Sequence, residues 1–254
     1  ILSEDSEPNP LISGTSGIDF KSADKELARL SLEVQKKHGL SVFTDNLSDW
    51  VFYRYMTGEQ YKFLCDNMSN EMEAAYQKEE CETDWEKKLF LMYFRTEVYK
   101  KNYYPAEEMI EGVQKIVQES PELMTEQIMS DIGKVYLYGD VSPVKAARFF
   151  QEEAQKYKGR PVEFYCYFYA GRLFDKAGGY ETSVEKNFRA AVECTKNSKL
   201  KDNALWYLFK TSLKKSAADA IRVLEENITE ISDPNYYDDF FDLLSPLLLS
   251  ERRY

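Results

Sequence analysis

Apolar residues recur at helical spacing along this chain from Ser22 onward. Strict alternation of apolar and polar residues, which indicates half-buried strands, is hard to find. In the segment that follows Ser22, four apolar residues fall near one helix face: Leu27, Leu30, Leu32 and Val34. The pattern predicts an all-α chain of about ten helices joined by short turns.

Capping signals mark several helix starts. In a capping box, a Ser or Thr hydroxyl and the side chain three residues later bind each other's backbone N–H groups. Three pairs fit this pattern: Thr57 with Gln60, Thr83 with Glu86, and Thr182 with Glu185. At three further sites a capping residue precedes a proline at the first helical position: Ser120-Pro121, Ser142-Pro143 and Asp233-Pro234. Each of these six signals predicts that a helix begins there.

The predicted helices recur with a nearly constant period. Large apolar residues at the centres of four helices lie 37, 38 and 36 positions apart: Val113, Phe150, Phe188 and Leu224. Two of the preceding helices also align at an offset of 38, with Ile132-Gly133…Tyr136 matching Ala170-Gly171…Phe174. Glycine lets two helix backbones approach, and a large ring three positions on fills the next gap. The spacing therefore predicts a repeat of helix pairs.

The clearest unit of this repeat resembles a tetratricopeptide repeat. That motif carries a large residue, Leu-Gly and an aromatic residue in its first helix, then Ala…Phe…Ala in its second. The matching residues are Tyr167, Ala170-Gly171, Phe174, Val184, Phe188 and Ala191. The resemblance covers 84–232, although 204–232 lacks the glycine and 84–121 keeps mainly its second helix. It implies that 22–254 is an α-helical repeat domain, a right-handed superhelix (solenoid) of helix pairs.

The resemblance also predicts a concave binding surface. The run Phe164–Tyr169 is the densest aromatic tract, and six successive helical residues point all round the helix. If Gly171 is the close-packing glycine, the concave face is formed by two units and includes Gln127, Ser130, Lys134, Tyr138, Tyr165, Phe168, Arg172 and Asp175. Such a groove suits a peptide or a glycan strand. The alternative is that the rings pack between neighbouring helices.

Composition narrows the range of functions. The 254 residues include 44 acidic and 33 basic ones, a net charge of −11, which argues against nucleic acid as the partner. His38 is the only histidine, and Cys65, Cys81, Cys166 and Cys194 form no CxxC pair, so we expect no metal site and no cofactor. The acidic stretch 79–84 lacks the EF-hand spacing, which favours a solvated loop. No apolar run is long enough for a transmembrane segment.

The two ends of the chain suggest a part of a larger protein. Residues 1–21 contain Pro, Gly and Ser with almost no periodic apolar residues, which predicts an extended N-terminal arm or linker. The chain begins at Ile1 rather than Met, as a processed or excised chain does. It stops at Tyr254 directly after an apolar helix, so we expect a further domain downstream.

A second resemblance concerns three segments, 202–208, 217–220 and 233–239, which read DNALWYL, AADA and DPNYYDD. They resemble the superhelical region of soluble lytic murein transglycosylases, in which helix pairs precede a lysozyme-like domain that cleaves peptidoglycan. That domain uses a Glu-Ser motif followed by Gly-Leu-Met-Gln. Here Glu119-Ser120 runs into a proline and no Gly-Leu-Met-Gln occurs, so no catalytic residue is carried over. The resemblance implies a bacterial, periplasmic or extracytoplasmic location.

These patterns predict a non-catalytic scaffold or binding region of a bacterial cell-envelope protein. Under the transglycosylase resemblance, it would position a peptidoglycan enzyme whose catalytic domain follows Tyr254. The alternative is a tetratricopeptide adaptor that binds another protein and has no attached enzyme. The expected partner is accordingly a protein, a peptide or a peptidoglycan glycan strand. The acidic composition fits the cytoplasm as well as the periplasm.

Overall fold

The computed structural model describes residues 69–78 and 80–250, and these ranges are helical with no strand. The chain divides into two compact units, Ile1–Lys100 and Lys101–Tyr254. Three predictions lie outside the described residues: the arm at 1–21, the surroundings of His38, and the capping box of Thr57 and Gln60.

Nine α-helices with assigned starts and ends follow a helical stretch at 69–76 in the described part of the chain. Their bounds are α1 Asp84–Tyr99, α2 Ala106–Glu119, α3 Glu126–Tyr138, α4 Pro143–Lys156, α5 Val162–Ala177, α6 Glu181–Cys194, α7 Ser198–Lys215, α8 Ala217–Asn227 and α9 Pro234–Ser250. Short 3-10 turns at Pro121–Leu123 and Ile228–Glu230 precede α3 and α9. The prediction of an all-α chain is confirmed for these residues.

In the first unit, the stretch at 69–76 packs on α1 through aromatic rings. The ring centroid of Tyr76 lies 4.8 Å from that of Phe90 and 4.6 Å from that of Tyr93. The predicted capping box at the start of α1 is confirmed, because Glu86 N donates to the Thr83 hydroxyl at 3.2 Å and Thr83 N donates to the Glu86 carboxylate at 3.1 Å. Reciprocal bonds of this kind fix the helix start.

The other predicted helix starts have mixed outcomes. Helices α4 and α9 begin at Pro143 and Pro234 as expected, whereas Pro121 begins only a 3-10 turn. The capping box of Thr182 and Glu185 is wrong, because α6 already begins at Glu181. Glu185 accepts bonds from Arg189 and Lys215 instead, and the chain enters α6 through Gly178 and Gly179, both with positive φ.

In the second unit, successive helices pack against one another from α4 to α8, and α3 also packs on α5. The four large residues that define the predicted period are all buried: Val113, Phe150, Phe188 and Leu224. Each contributes its full side chain to the apolar core, which is the main source of stability in such a stack. The period in the sequence therefore corresponds to a line of core residues.

Two sets of a glycine and two rings recur at an offset of 38 residues. Gly133, Phe150 and Tyr169 form the first, and their counterparts are Gly171, Phe188 and Tyr207. The rings of Phe150 and Tyr169 stack at 5.9 Å and 28°, and those of Phe188 and Tyr207 at 5.6 Å and 21°. A Cβ added at Gly133 would meet the Tyr169 ring at 2.3 Å, and one at Gly171 would meet the Phe188 ring at 2.9 Å. In both places a ring occupies the space that a side chain at the glycine would take, more tightly at Gly133 than at Gly171.

A buried carboxylate fixes the start of α9. Asp202 of α7 is fully buried and accepts hydrogen bonds from the hydroxyl of Ser232 at 2.8 Å and from Asp233 N at 2.9 Å. Ser232 N also donates to this carboxylate. These bonds compensate the charge for its lost hydration and hold the 232–233 segment on α7.

Candidate binding groove

Two clefts that share Tyr207 cross the second unit. The first has a volume of about 550 Å³ and lies across α3, α5 and α7; the residues that line it are Leu137, Tyr138, Arg172, Asp175, Lys176, Tyr207 and Lys210. The second has a volume of about 500 Å³ and lies between α7 and the start of α9; its residues are Asn203, Trp206, Tyr207, Asp233, Tyr236 and Asp239. Because Tyr207 lines both, we treat them as one groove, with a basic cleft and an acidic cleft.

The basic cleft holds three cations and one carboxylate. Lys176 donates to the backbone carbonyl of Leu137 at 2.6 Å, where a cation complements the C-terminal end of α3. Asp175 is paired with Lys214 at 2.5 Å. The charge of Asp175 is therefore compensated by Lys214, while the Lys176 ammonium is held by the carbonyl at the end of α3.

The remaining two cations, Arg172 and Lys210, lie on aromatic rings. The Arg172 guanidinium carbon is 4.5 Å from the ring centre of Tyr207, and the Lys210 ammonium is 5.7 Å from the same centre. Within the described ranges neither cation has a carboxylate partner. Cation–π contacts hold such groups in place without neutralising them, so this cleft presents positive charge to a ligand.

The acidic cleft combines carboxylates with rings. Asp233 and Asp239 line it together with Trp206 and Tyr236, whose ring centroids are 6.3 Å apart. Burial, followed by the neighbouring carboxylates of Asp202 and Asp233, raises the pKa of Tyr236. Among the described residues that line this cleft there is no cation, and these residues present negative charge between apolar walls.

A cluster of three tyrosines borders the basic cleft. The rings of Tyr103 and Tyr138 are 5.4 Å apart, and the Tyr104 hydroxyl donates to the Tyr138 carbonyl at 3.4 Å. Tyr138 is 52% exposed although it is a large aromatic residue. Exposed tyrosines are common in protein interfaces, because their rings supply contact area at a small cost in side-chain entropy.

Three of the eight predicted groove residues line the basic cleft: Tyr138, Arg172 and Asp175. Four others bind or touch neighbours outside both clefts. Gln127 and Lys134 both donate to Asp131, at 3.1 and 2.8 Å. Ser130 pairs with the hydroxyl of Tyr169. The Tyr165 ring packs edge-on against Phe164, and burial raises its pKa to about 12.

Phe168, the eighth predicted residue, belongs to the core. It is only 5% exposed and packs against the rings of Phe164, Tyr169, Phe188 and Tyr207. The ring is thus not available to a ligand, which corresponds to the alternative interpretation of the aromatic tract for this residue. Arg172 lies over its outer side, 5.9 Å from the ring centre.

Sequence reasoning missed the part of the groove on α7. An offset of 38 applied once more to Tyr165, Phe168 and Arg172 leads to the α7 groove residues Asn203, Trp206 and Lys210. The 38-residue period therefore already indicated these three residues of α7. The acidic residues Asp233 and Asp239 depend on the position of α9, which no period predicts.

Candidate reactive groups do not gather in this unit. Burial raises the pKa of the Cys194 thiol to about 12 and that of Cys166 further still, so neither thiol has nucleophilic character. Over 69–78 and 80–250, no group of three or more His, Cys, Asp or Glu is placed to hold a metal ion. Among the same residues, no helix is both long and apolar enough to cross a membrane.

Comparisons of the chain with known protein families, with curated proteins and with solved structures found no match.

Proposed function

We propose that this chain is a non-catalytic binding region, a tetratricopeptide-like stack of helix pairs whose groove holds an extended polypeptide segment of a partner protein. The observation that carries the proposal is the pair of clefts that share Tyr207 and are lined by residues of α3, α5, α7 and α9. A groove that crosses successive helices suits a ligand that is itself extended.

Contacts at a regular sequence offset support the stack. Six hydrogen bonds join residues 36 to 39 positions apart. Five are between side chains: Lys145 with Glu107, Ser130 with Tyr169, Lys214 with Asp175, Gln151 with Asn187, and Arg189 with Glu226. The sixth runs from Lys176 to the backbone carbonyl of Leu137. When each helix pair packs on the next with a similar relation, the repetition generates a superhelix. The right-handed form is the one that the tetratricopeptide resemblance implies.

The composition of the groove favours a polypeptide. Tyr, Trp and Arg are the residue types that contribute most to protein–protein binding, and the groove supplies Tyr138, Trp206 and Arg172. Tyr207 offers no open aromatic face to a sugar ring, because it already stacks on Phe188 and carries the Arg172 guanidinium. The mixed charges instead match peptide side chains.

A second candidate is the peptidoglycan-binding region of a periplasmic cell-envelope protein. One observation favours it: two of the segments that resemble lytic transglycosylases, 202–208 and 233–239, supply every residue that lines the acidic cleft. In that case the ligand is a glycan strand, and the chain positions an enzyme domain.

A direct binding comparison separates the two candidates. The full chain is offered a displayed library of random linear peptides and, in parallel, soluble peptidoglycan fragments, with Trp fluorescence as a readout for both. We expect saturable binding of selected peptides, weakened at least about tenfold by Tyr138→Ala. Tyr99→Ala is the matched control, because Tyr99 is 70% exposed and lies in the other unit.

Two other results would speak against peptide binding in the groove. Saturable binding of peptidoglycan fragments with no selected peptide would support the cell-envelope candidate. Peptide binding that Tyr138→Ala and Tyr99→Ala change equally would contradict a role for the groove.

A further inference from the structure

The two clefts of the groove carry opposite charge, and we infer that they select a peptide by its charge pattern. One acidic side chain of the ligand binds against Arg172 and Lys210, and one basic side chain binds in the acidic cleft beside Asp239. This inference rests on the proposed peptide-binding function, since it specifies which peptides the groove accepts.

The charge of the basic cleft is not compensated by the protein. The carboxylate in this cleft, Asp175, is paired with Lys214, which lies on α7 beyond Lys210. Arg172 and Lys210 contact rings and no carboxylate in the described part of the chain. Both cations lie beside Tyr207 on two different helices, so a single carboxylate placed between them can interact with both.

The acidic cleft has the opposite charge and a suitable shape for a long basic side chain. Asp239 is exposed and has no hydrogen bond or ion pair with any described residue. Trp206 and Tyr236 form the apolar walls of the same cleft. A Lys or Arg side chain can lay its methylene stem along such rings and bring its charge to the carboxylate.

The rings of this cleft already attract a cation of the protein itself. The ammonium of Lys210, a residue of the basic cleft, lies 5.8 Å from the ring centre of Trp206. The net charge of −11 adds a long-range attraction for basic groups. The acidic end of the ligand is therefore held by a local pair of cations, and the basic end by both local and overall charge.

The width of the groove sets the spacing of the two ligand charges. Arg172 and Lys210 lie on α5 and α7, and Asp239 lies on α9. Ring contacts join α7 to α5 and to α9, helices in contact are about 10 Å apart, and an extended chain advances about 3.3 Å per residue. A ligand carboxylate between Arg172 and Lys210 is then about 15 Å from α9, so the acidic and basic residues of the ligand should be about four to five positions apart.

The first test uses the same displayed library of random peptides with the full chain. We expect the selected peptides to be enriched in pairs of Asp or Glu with Lys or Arg separated by about four to five positions. A selected peptide is then synthesised, together with versions in which its acidic residue is replaced by Gln or its basic residue by Met. Each replacement should weaken binding at least about fivefold, and raised salt should weaken the parent peptide most.

Charge-reversing variants locate the two ends. Lys210→Glu should weaken the parent peptide at least about tenfold and restore binding to a version whose acidic residue is replaced by Lys. Asp239→Lys should likewise weaken the parent peptide, and it should restore binding to a version whose basic residue is replaced by Glu. The matched control is Lys186→Glu, because Lys186 is exposed on α6 and lines neither cleft. Thermal melting of each variant checks that the fold is retained.

The outcomes distinguish this inference from the function on which it rests. Selected peptides that share no charge pair, and whose affinity is unchanged by Lys210→Glu and Asp239→Lys, would overturn the charge pattern while leaving peptide binding in place. Failure to select any peptide would overturn both.

Discussion

Gly133 and Gly171 occupy the same place in two aligned helices, yet different rings cover them. At Gly133 the nearest ring is Tyr169, which comes from α5, the first helix of the next pair. At Gly171 it is Phe188, from α6 of the same pair. The period predicts that a helix backbone approaches each glycine, whereas in the structure a ring covers each one, and a different helix supplies that ring in each case.

The next position in the series of Gly133 and Gly171 holds no glycine. Phe209 stands 38 residues after Gly171, so a ring replaces the glycine. It is buried and packs edge-on against Phe240 of α9 at 5.3 Å. Here α9 is held by this ring contact and by the buried carboxylate of Asp202. The comparison shows that one sequence period can produce close glycine packing in two places and ring packing with a polar anchor in a third.

The largest loss of stability is expected from substitution of Phe209, the residue at the third position of the series. Phe209→Ala removes a fully buried ring and leaves a cavity, which should lower the free energy of unfolding by about 3–5 kcal/mol. Chemical denaturation measures this change, and Phe209→Leu, which keeps most of the volume, should cost much less. A loss below about 1 kcal/mol for Phe209→Ala would show that the ring is not needed here.

The second largest loss of stability is expected when the Asp202 carboxylate, which anchors the start of α9, is removed. Asp202→Ala removes the carboxylate that accepts bonds from the Ser232 hydroxyl, Ser232 N and Asp233 N, and the loss of these charge-assisted bonds should cost about 2–3 kcal/mol. Asp202→Asn is the conservative control, since its carbonyl still accepts one of these bonds. Hydrogen exchange should show faster opening at the start of α9 in Asp202→Ala. Unchanged exchange there would contradict the anchoring role.

Gly133→Ala should be less costly but clearly destabilising. The added Cβ would lie 2.3 Å from ring atoms of Tyr169 that include Cγ, near the fixed end of that side chain, so the ring cannot simply rotate away. Overpacking of this kind costs about 1–3 kcal/mol. A double-mutant cycle with Tyr169→Leu gives the check. The glycine substitution should cost less in that background, and equal costs would show that Tyr169 is not the obstacle.

The smallest effect is expected for Gly171→Ala. Its Cβ would meet the far edge of the Phe188 ring at 2.9–3.0 Å, which a small shift of the ring relieves. Alanine also favours a helix by about 1 kcal/mol over glycine. The net change in stability should therefore be no more than about 1 kcal/mol, measured alongside Gly133→Ala. Equal destabilisation by the two substitutions would remove the distinction between the glycines.

Much of the helical core was predictable from spacing alone. Val113, Phe150, Phe188 and Leu224 are buried as their period indicates, because a residue at the centre of each packed helix must face the next one. The start of α1 was predictable because Thr83 and Glu86 form a reciprocal box. In contrast, α3, α7 and α8 are capped by Thr125, Asn197 and Ser216, none of which has Glu or Gln three residues later.

The site was less predictable than the core. The assignment of Phe168 to the groove came from the repeat motif, which does not include the rings of Tyr169 and Tyr207 that surround it. The acidic cleft requires the position of α9, which is set by the Asp202 carboxylate and by Phe240 rather than by any repeated residue. Long-range contacts of this kind leave no periodic signal in the sequence.

Photo-crosslinking along the groove tests the central claim most directly. The photoreactive residue p-benzoylphenylalanine is introduced as Lys210→Bpa or Asp239→Bpa, with Lys186→Bpa as a control, and each variant is irradiated with a selected peptide. We predict that position 210 crosslinks to the half of the peptide that carries its acidic residue, and position 239 to the half that carries its basic residue, while position 186 gives no product. Crosslinks of equal yield at all three positions, or from both halves of the peptide at each groove position, would contradict a single charged groove across α5, α7 and α9.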